Sequence, residues 1–128
     1  MTQSPGKPSK SIARLEAKVV KLAMGYPQAT EHMPWGHYAF KVRNKTFLFL
    51  AASDEGLSLS VKLPESGALA LELPFASPTG YGLGKSGWVS AKFAKAKGVP
   101  MPLLGEWLDE SYRAIAPKKL IRELDGDG

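Results

Sequence analysis

Glu31, His32 and His37 come closer than any other residues of this chain to a set that could do acid–base or metal chemistry. A histidine beside a carboxylate can work as a general acid–base pair. A metal demands three or four convergent ligands. The two histidines are five residues apart, with Pro34 and Gly36 between them, so no helix aligns them, and no third ligand cluster is visible. The chain has no cysteine, which excludes thiolate metal sites, disulfide staples and a cysteine nucleophile. No Ser, Cys or metal partner marks a reaction here, so the expectation is a non-enzymatic protein with no catalytic residue, no cofactor and no metal. A small-ligand pocket around Glu31, His32, Trp35 and His37 stands as an alternative. The competing structural account is a hydrogen-bonded loop in which Thr30 or Glu31 satisfies free amides and Trp35 is a buried anchor on the sheet.

Gly84-Lys85-Ser86 has the look of a phosphate loop. That motif needs a glycine five positions before the Gly-Lys pair, where Thr79 stands, and a helix after the serine. Trp88-Val89-Ser90 reads as a strand instead. Gly80, Gly82, Gly84 and Gly87 therefore describe a bent hairpin with Lys85 at its tip, within reach of an anion. On the last helix Asp109 and Arg113 are four apart and pair for a few tenths of a kcal/mol. Glu110-Ser111-Tyr112 resembles an active-site cluster, but Tyr112 falls on the apolar stripe and is expected to donate a buried hydrogen bond.

The charge is unevenly placed. Seventeen bases and twelve acids give a net +5. Residues 73–105 hold Lys85, Lys92, Lys95 and Lys97 and no acid, whereas residues 106–128 hold four bases and six acids. A basic middle suits a polyanion. Trp88, Phe93, Tyr81 and Phe75 interleave with these lysines, a mixture that suits bases and phosphates. Strand alternation divides it, because Trp88, Ser90 and Lys92 share one face and Val89, Ala91 and Phe93 the other. With Arg14, Lys18 and Lys21 on the first helix, the candidate DNA-binding set is Arg14, Lys18, Lys21, Lys85, Lys92, Lys95 and Lys97. Phosphate contacts of this kind position a protein without reading sequence, and no recognition helix is evident. A protein-interaction adaptor using an exposed apolar sheet face or groove is the alternative partner class.

These residues must be positioned by one domain, since 128 residues leave no room for two. Residues 1–10 read as a flexible arm, 11–120 as the domain and 121–128 as a frayed acidic tail. The longest apolar run, Phe47 to Ala52, is too short to span a membrane, and the first ten residues lack an apolar signal core, which points to the cytoplasm. Ile12, Leu15, Val19 and Leu22 form a helix stripe, capped by Ser9 or Ser11 and stopped by Gly25 and Pro27. Residues 26–37 read as loop. Strands follow at Tyr38–Val42, Thr46–Ala52 and Leu57–Leu63, with turns at 43–46 and 53–56. A short helix over 66–73, an irregular strand over 75–81, a strand at Trp88–Phe93 and a helix marked by Leu104, Trp107, Leu108, Tyr112 and Ile115 complete the chain, ended by Pro117. The order is α-β-β-β-α-β-β-α: a two-layer α+β fold, with a single antiparallel sheet and helices on one face.

Particular residues also match a known family in order. Thr30-Glu31-His32, Pro34-Trp35-Gly36-His37 and Phe40-Lys41-Val42 match its first block. Leu59 to Pro64, Tyr81-Gly82-Leu83-Gly84 and Gly87-Trp88-Val89 match its middle, and Glu110-Ser111-Tyr112 with Ala116-Pro117-Lys118-Lys119-Leu120 its end. From roughly residue 11 to 120 the chain resembles the MmcQ/YjbR family of small bacterial proteins. The resemblance implies one antiparallel sheet with packed helices, related in shape to frataxin-like and secretion-chaperone-like domains. It also implies DNA binding through a double wing of sheet and hairpins, and it brings no catalytic residues. Two departures stand out: Asn44 replaces a common turn glycine, and Ala94 to Pro102 is longer and more basic than usual, either extending a wing or forming a loose loop.

Overall fold

The computed structural model describes residues 6–33 and 36–126. Pro34 and Trp35, and with them the expected Trp35 anchor, lie outside the described residues.

Helix α1 (Lys10–Met24) begins where Ser9 Oγ accepts the Ile12 amide at 3.2 Å and ends at Gly25. Its buried residues are Ile12, Leu15, Val19 and Ala23. The stripe therefore closes on Ala23 rather than Leu22, which is 43% exposed. Spacing of four at the last step keeps the apolar line on one face, and Leu22 falls to the side of it.

The sheet has six antiparallel strands in the order β1-β2-β3-β4-β6-β5. They are β1 (Thr30–His32), β2 (Tyr38–Val42), β3 (Lys45–Ser53), β4 (Gly56–Lys62), β5 (Ala76–Pro78) and β6 (Trp88–Phe93). Strand β1 lies in a stretch read as loop. Its three residues are all exposed, so no apolar alternation announces it, and it forms by pairing with β2. Arg43 and Asn44 turn β2 into β3 with φ of 50° and 67°, the double left-handed turn that suits the twist of a two-residue hairpin. Asn44 thus does the work of the more usual glycine. At the next turn Gly56 has φ 120°, and a Cβ there would meet the Phe93 carbonyl oxygen at 2.1 Å, so only glycine fits.

Leu57, Leu59 and Val61 of β4 sit opposite Phe93, Ala91 and Val89 of β6. Together with Leu48 and Leu50 of β3 they face α1 and helix α3 (Met101–Ile115), which pack on β3 and β4. An irregularity between Phe40 and Lys41 places one extra residue, Phe47, in β3. Phe47 and Leu48 are both buried as a result, and the Phe47 ring meets Tyr112 at 5.3 Å and Tyr26 at 6.2 Å. Phe47, Leu59, Val61, Leu104 and Leu108 share the core. Phe49 does not: it is half-buried on the opposite sheet face, against Trp88 at 5.5 Å.

A one-turn helix α2 (Gly67–Ala70) bridges β4 and β5, and a 3-10 turn at Leu83–Ser86 joins β5 to β6. Pro117, read as the end of the last helix, precedes a further helix, α4 (Lys118–Leu124), whose Leu120 is fully buried. Proline suits the position before a helix because it needs no amide donor there. Among the described residues no helix is long and apolar enough to cross a membrane.

Candidate nucleic-acid interface

Helix α1 turns Arg14, Lys18 and Lys21 outward, because the helical period that buries Leu15 and Val19 places them on other faces. Beside them runs the connection from Ala94 to Pro100. Arg14, Leu15 and Lys18 line one groove with Ala96, Val99 and Met101. Lys95 and Lys97 flank Ala96 in the chain and are exposed, and Lys21 follows Lys18 one turn along α1, so these five cations belong to two neighbouring segments. Ala96 and Val99 are packed against the core, so this connection is seated rather than loose. The ion pairs among the described residues join Arg113 to Asp109 and Asp125; none involves these five.

Lys85 and Lys92 stand elsewhere. Lys92 lies opposite Ser58 on the sheet face away from the helices. There it lines a small groove with Ser53, Glu55 and Ser58. Lys85 sits in the 3-10 turn before β6, whereas Lys95 follows the far end of that strand. The strand between them is about 17 Å long at ordinary strand rise. That turn leads into a strand, which agrees with the absence of a phosphate loop. The seven candidate cations thus divide into five on two neighbouring segments and two outliers.

The open sheet face offers little for base stacking. Ser60 and Ser90 share a 2.7 Å hydrogen bond, Thr79 meets Ser90 at 2.9 Å, and Trp88 is only 8% exposed. Tyr81, in contrast, is fully exposed and holds φ 59°.

The Glu31–His32–His37 set is not brought together. Glu31 and His32 are successive residues of β1 and project to opposite faces. His32 Nε2 is 2.9 Å from Thr30 Oγ1. On the α1 side, burial first and then the charges of Glu16 and Glu31 hold the Tyr38 phenol above its ordinary value. Among the described residues no group of three or more His, Asp or Glu could hold a metal.

Glu110-Ser111-Tyr112 is a structural hub. Glu110 accepts the amides of Glu65 and Ser66 at 2.9 and 3.0 Å and the Ser66 hydroxyl at 2.5 Å. Burial raises its pKa, but the Ser66 and Glu65 hydrogen bonds outweigh it and hold the carboxyl below its ordinary value. Ser111 Oγ donates to the Phe47 carbonyl at 2.6 Å and accepts the Lys62 amide at 2.8 Å, closing the sheet at the irregularity. Tyr112, itself fully buried, donates to the Pro27 carbonyl at 2.7 Å, a bond that is part-buried where a buried one was expected.

The YjbR family model matches residues 24–114. A crystal structure of a protein from Pseudomonas syringae superposes with a TM-score of 0.59 at 15% identity, covering 78% of this chain and 97% of that one. No curated protein matches the chain.

Proposed function

The chain belongs to the YjbR family, and we propose that it binds DNA without catalysis, through the phosphate backbone and with little sequence preference. One observation carries this: Arg14 and Lys18 line the same groove as Ala96, so Lys95 and Lys97 are set beside them on a surface free of ion pairs among the described residues. Clustered cations release condensed counterions when they meet phosphates, which gives affinity that falls steeply with salt. Nothing in the cluster reads base edges, so all sequences are bound alike. The test is a titration of labelled duplex DNA at several salt concentrations. Replacing Arg14, Lys18, Lys21, Lys95 and Lys97 by Ser should flatten the slope of log affinity against log salt by up to about 4.5. Replacing Lys85 and Lys92 should leave it nearly unchanged.

A protein-docking role is the second reading. It is favoured by Leu69, 73% exposed, at the edge of an apolar groove with Leu73, Leu103 and Trp107. Absence of DNA binding even at low ionic strength would make it the better account.

A further inference from the structure

We propose that the trough between the C-terminal half of α1, the start of α3 and the end of α4 binds an amphipathic anion: a carboxylate carried on a linear acyl chain. The trough has a volume of about 560 Å³, within the range of pockets that hold small molecules. Leu22, Tyr26, Met101 and Leu124 line it together with Lys18 and Lys21, which are both exposed. Lys18, Lys21, Leu22 and Gly25 are two turns of a single helix face, so the trough runs along the helix for roughly 10 Å. An elongated apolar floor suits a linear tail. Leu22 is 43% exposed, and a ligand lying over it would remove that apolar surface from water.

The charges are complementary to a negative head. The one acid in the wall, Asp109, is already engaged: Oδ1 accepts the Tyr26 hydroxyl at 3.0 Å and Oδ2 accepts Arg113 Nε at 2.7 Å. Burial, then the Asp109 charge, pushes the Tyr26 phenol up, so it stays protonated and keeps donating. Lys18 and Lys21 have no ion-pair partner among the described residues, so neither is neutralised within the chain when a carboxylate approaches.

The test uses the full chain in ¹H–¹⁵N correlation spectra, titrated with octanoate, decanoate and dodecanoate below their micelle concentrations, and with decanol as the uncharged control. Saturable shifts should centre on Leu22, Tyr26, Met101 and Leu124. Affinity should tighten about two- to fourfold per added methylene, the upper figure being ~0.8 kcal/mol for full burial. Decanol should bind about tenfold more weakly, as for one lost charge-assisted contact. The double variant Lys18→Ser/Lys21→Ser should bring decanoate to the level of decanol with an unchanged unfolding midpoint. Leu22→Glu, at an exposed position, should abolish binding of both. Shifts that are scattered or do not saturate would overturn the site. Equal affinity for decanol and decanoate, or indifference to the lysine variant, would overturn its anion preference. DNA takes no part in this experiment, so its failure would leave the nucleic-acid interface standing.

Discussion

Ser111 shows how much one buried side chain can carry. It is fully buried and holds a carbonyl of β3 and an amide of β4 at the same oxygen. Ser111→Ala would strand both groups, at a cost of about 2–4 kcal/mol, read as a lower urea midpoint. An unchanged midpoint would mean that water replaces the hydroxyl. Glu110 makes a pH-dependent contribution. Its folded pKa lies below the ordinary value of 4.5, so its stabilisation is complete above that value and is lost as pH falls through the depressed one. Glu110→Gln should therefore be less stable than wild type at pH 7, by about 1 kcal/mol. The gap should shrink as urea melts are taken below about pH 4.5; a constant gap would contradict the assignment. At this scale the Ser9 cap and the Asp109–Arg113 pair were legible in advance, and so was Tyr112. The helical period placed it on the core stripe, whereas the partners of Glu110 and Ser111 lie more than forty residues away in sequence and leave no local mark.

At the scale of elements, helix α4 is the sharpest departure from what local pattern dictates. Its seven residues are too few to form a stable helix alone, and the acidic residues after it suggest fraying. Packing decides otherwise: Leu120 is fully buried, and Arg113 of α3 meets Asp125 just beyond the helix at 2.6 Å. Leu120→Ala should lower stability by about 2–4 kcal/mol, measured by thermal or urea unfolding. A change within a few tenths would mean that α4 is peripheral. Strong periodicity made α1, β4, β6 and α3 legible, because each buries one face and leaves the other polar. Strand β1 was not legible, since all three residues face water and its backbone bonds are made to β2. The side taken by Phe49 was not legible for a related reason. In an all-apolar run such as Phe47 to Ala52, alternation carries no signal, and the extra residue at Phe47 shifts which side chains face the helices.

For the whole molecule, the informative feature is where the charge lies rather than its total. Local sequence identified the cations but not their grouping, because the approach of the Ala94–Pro100 connection to α1 is a tertiary contact. It sets Arg14 and Lys18 beside Ala96, while the sheet separates Lys92 from them. The most direct measurement is fluorescence anisotropy of a labelled duplex, titrated with wild type, with the five-site α1–connection variant and with Lys85→Ser/Lys92→Ser across a salt series. The proposed interface predicts a wild-type log–log slope of up to about −4.5, nearly abolished in the five-site variant and retained in the pair, for any duplex sequence. No binding by wild type at low salt, or a slope lost with Lys85 and Lys92 instead, would contradict it.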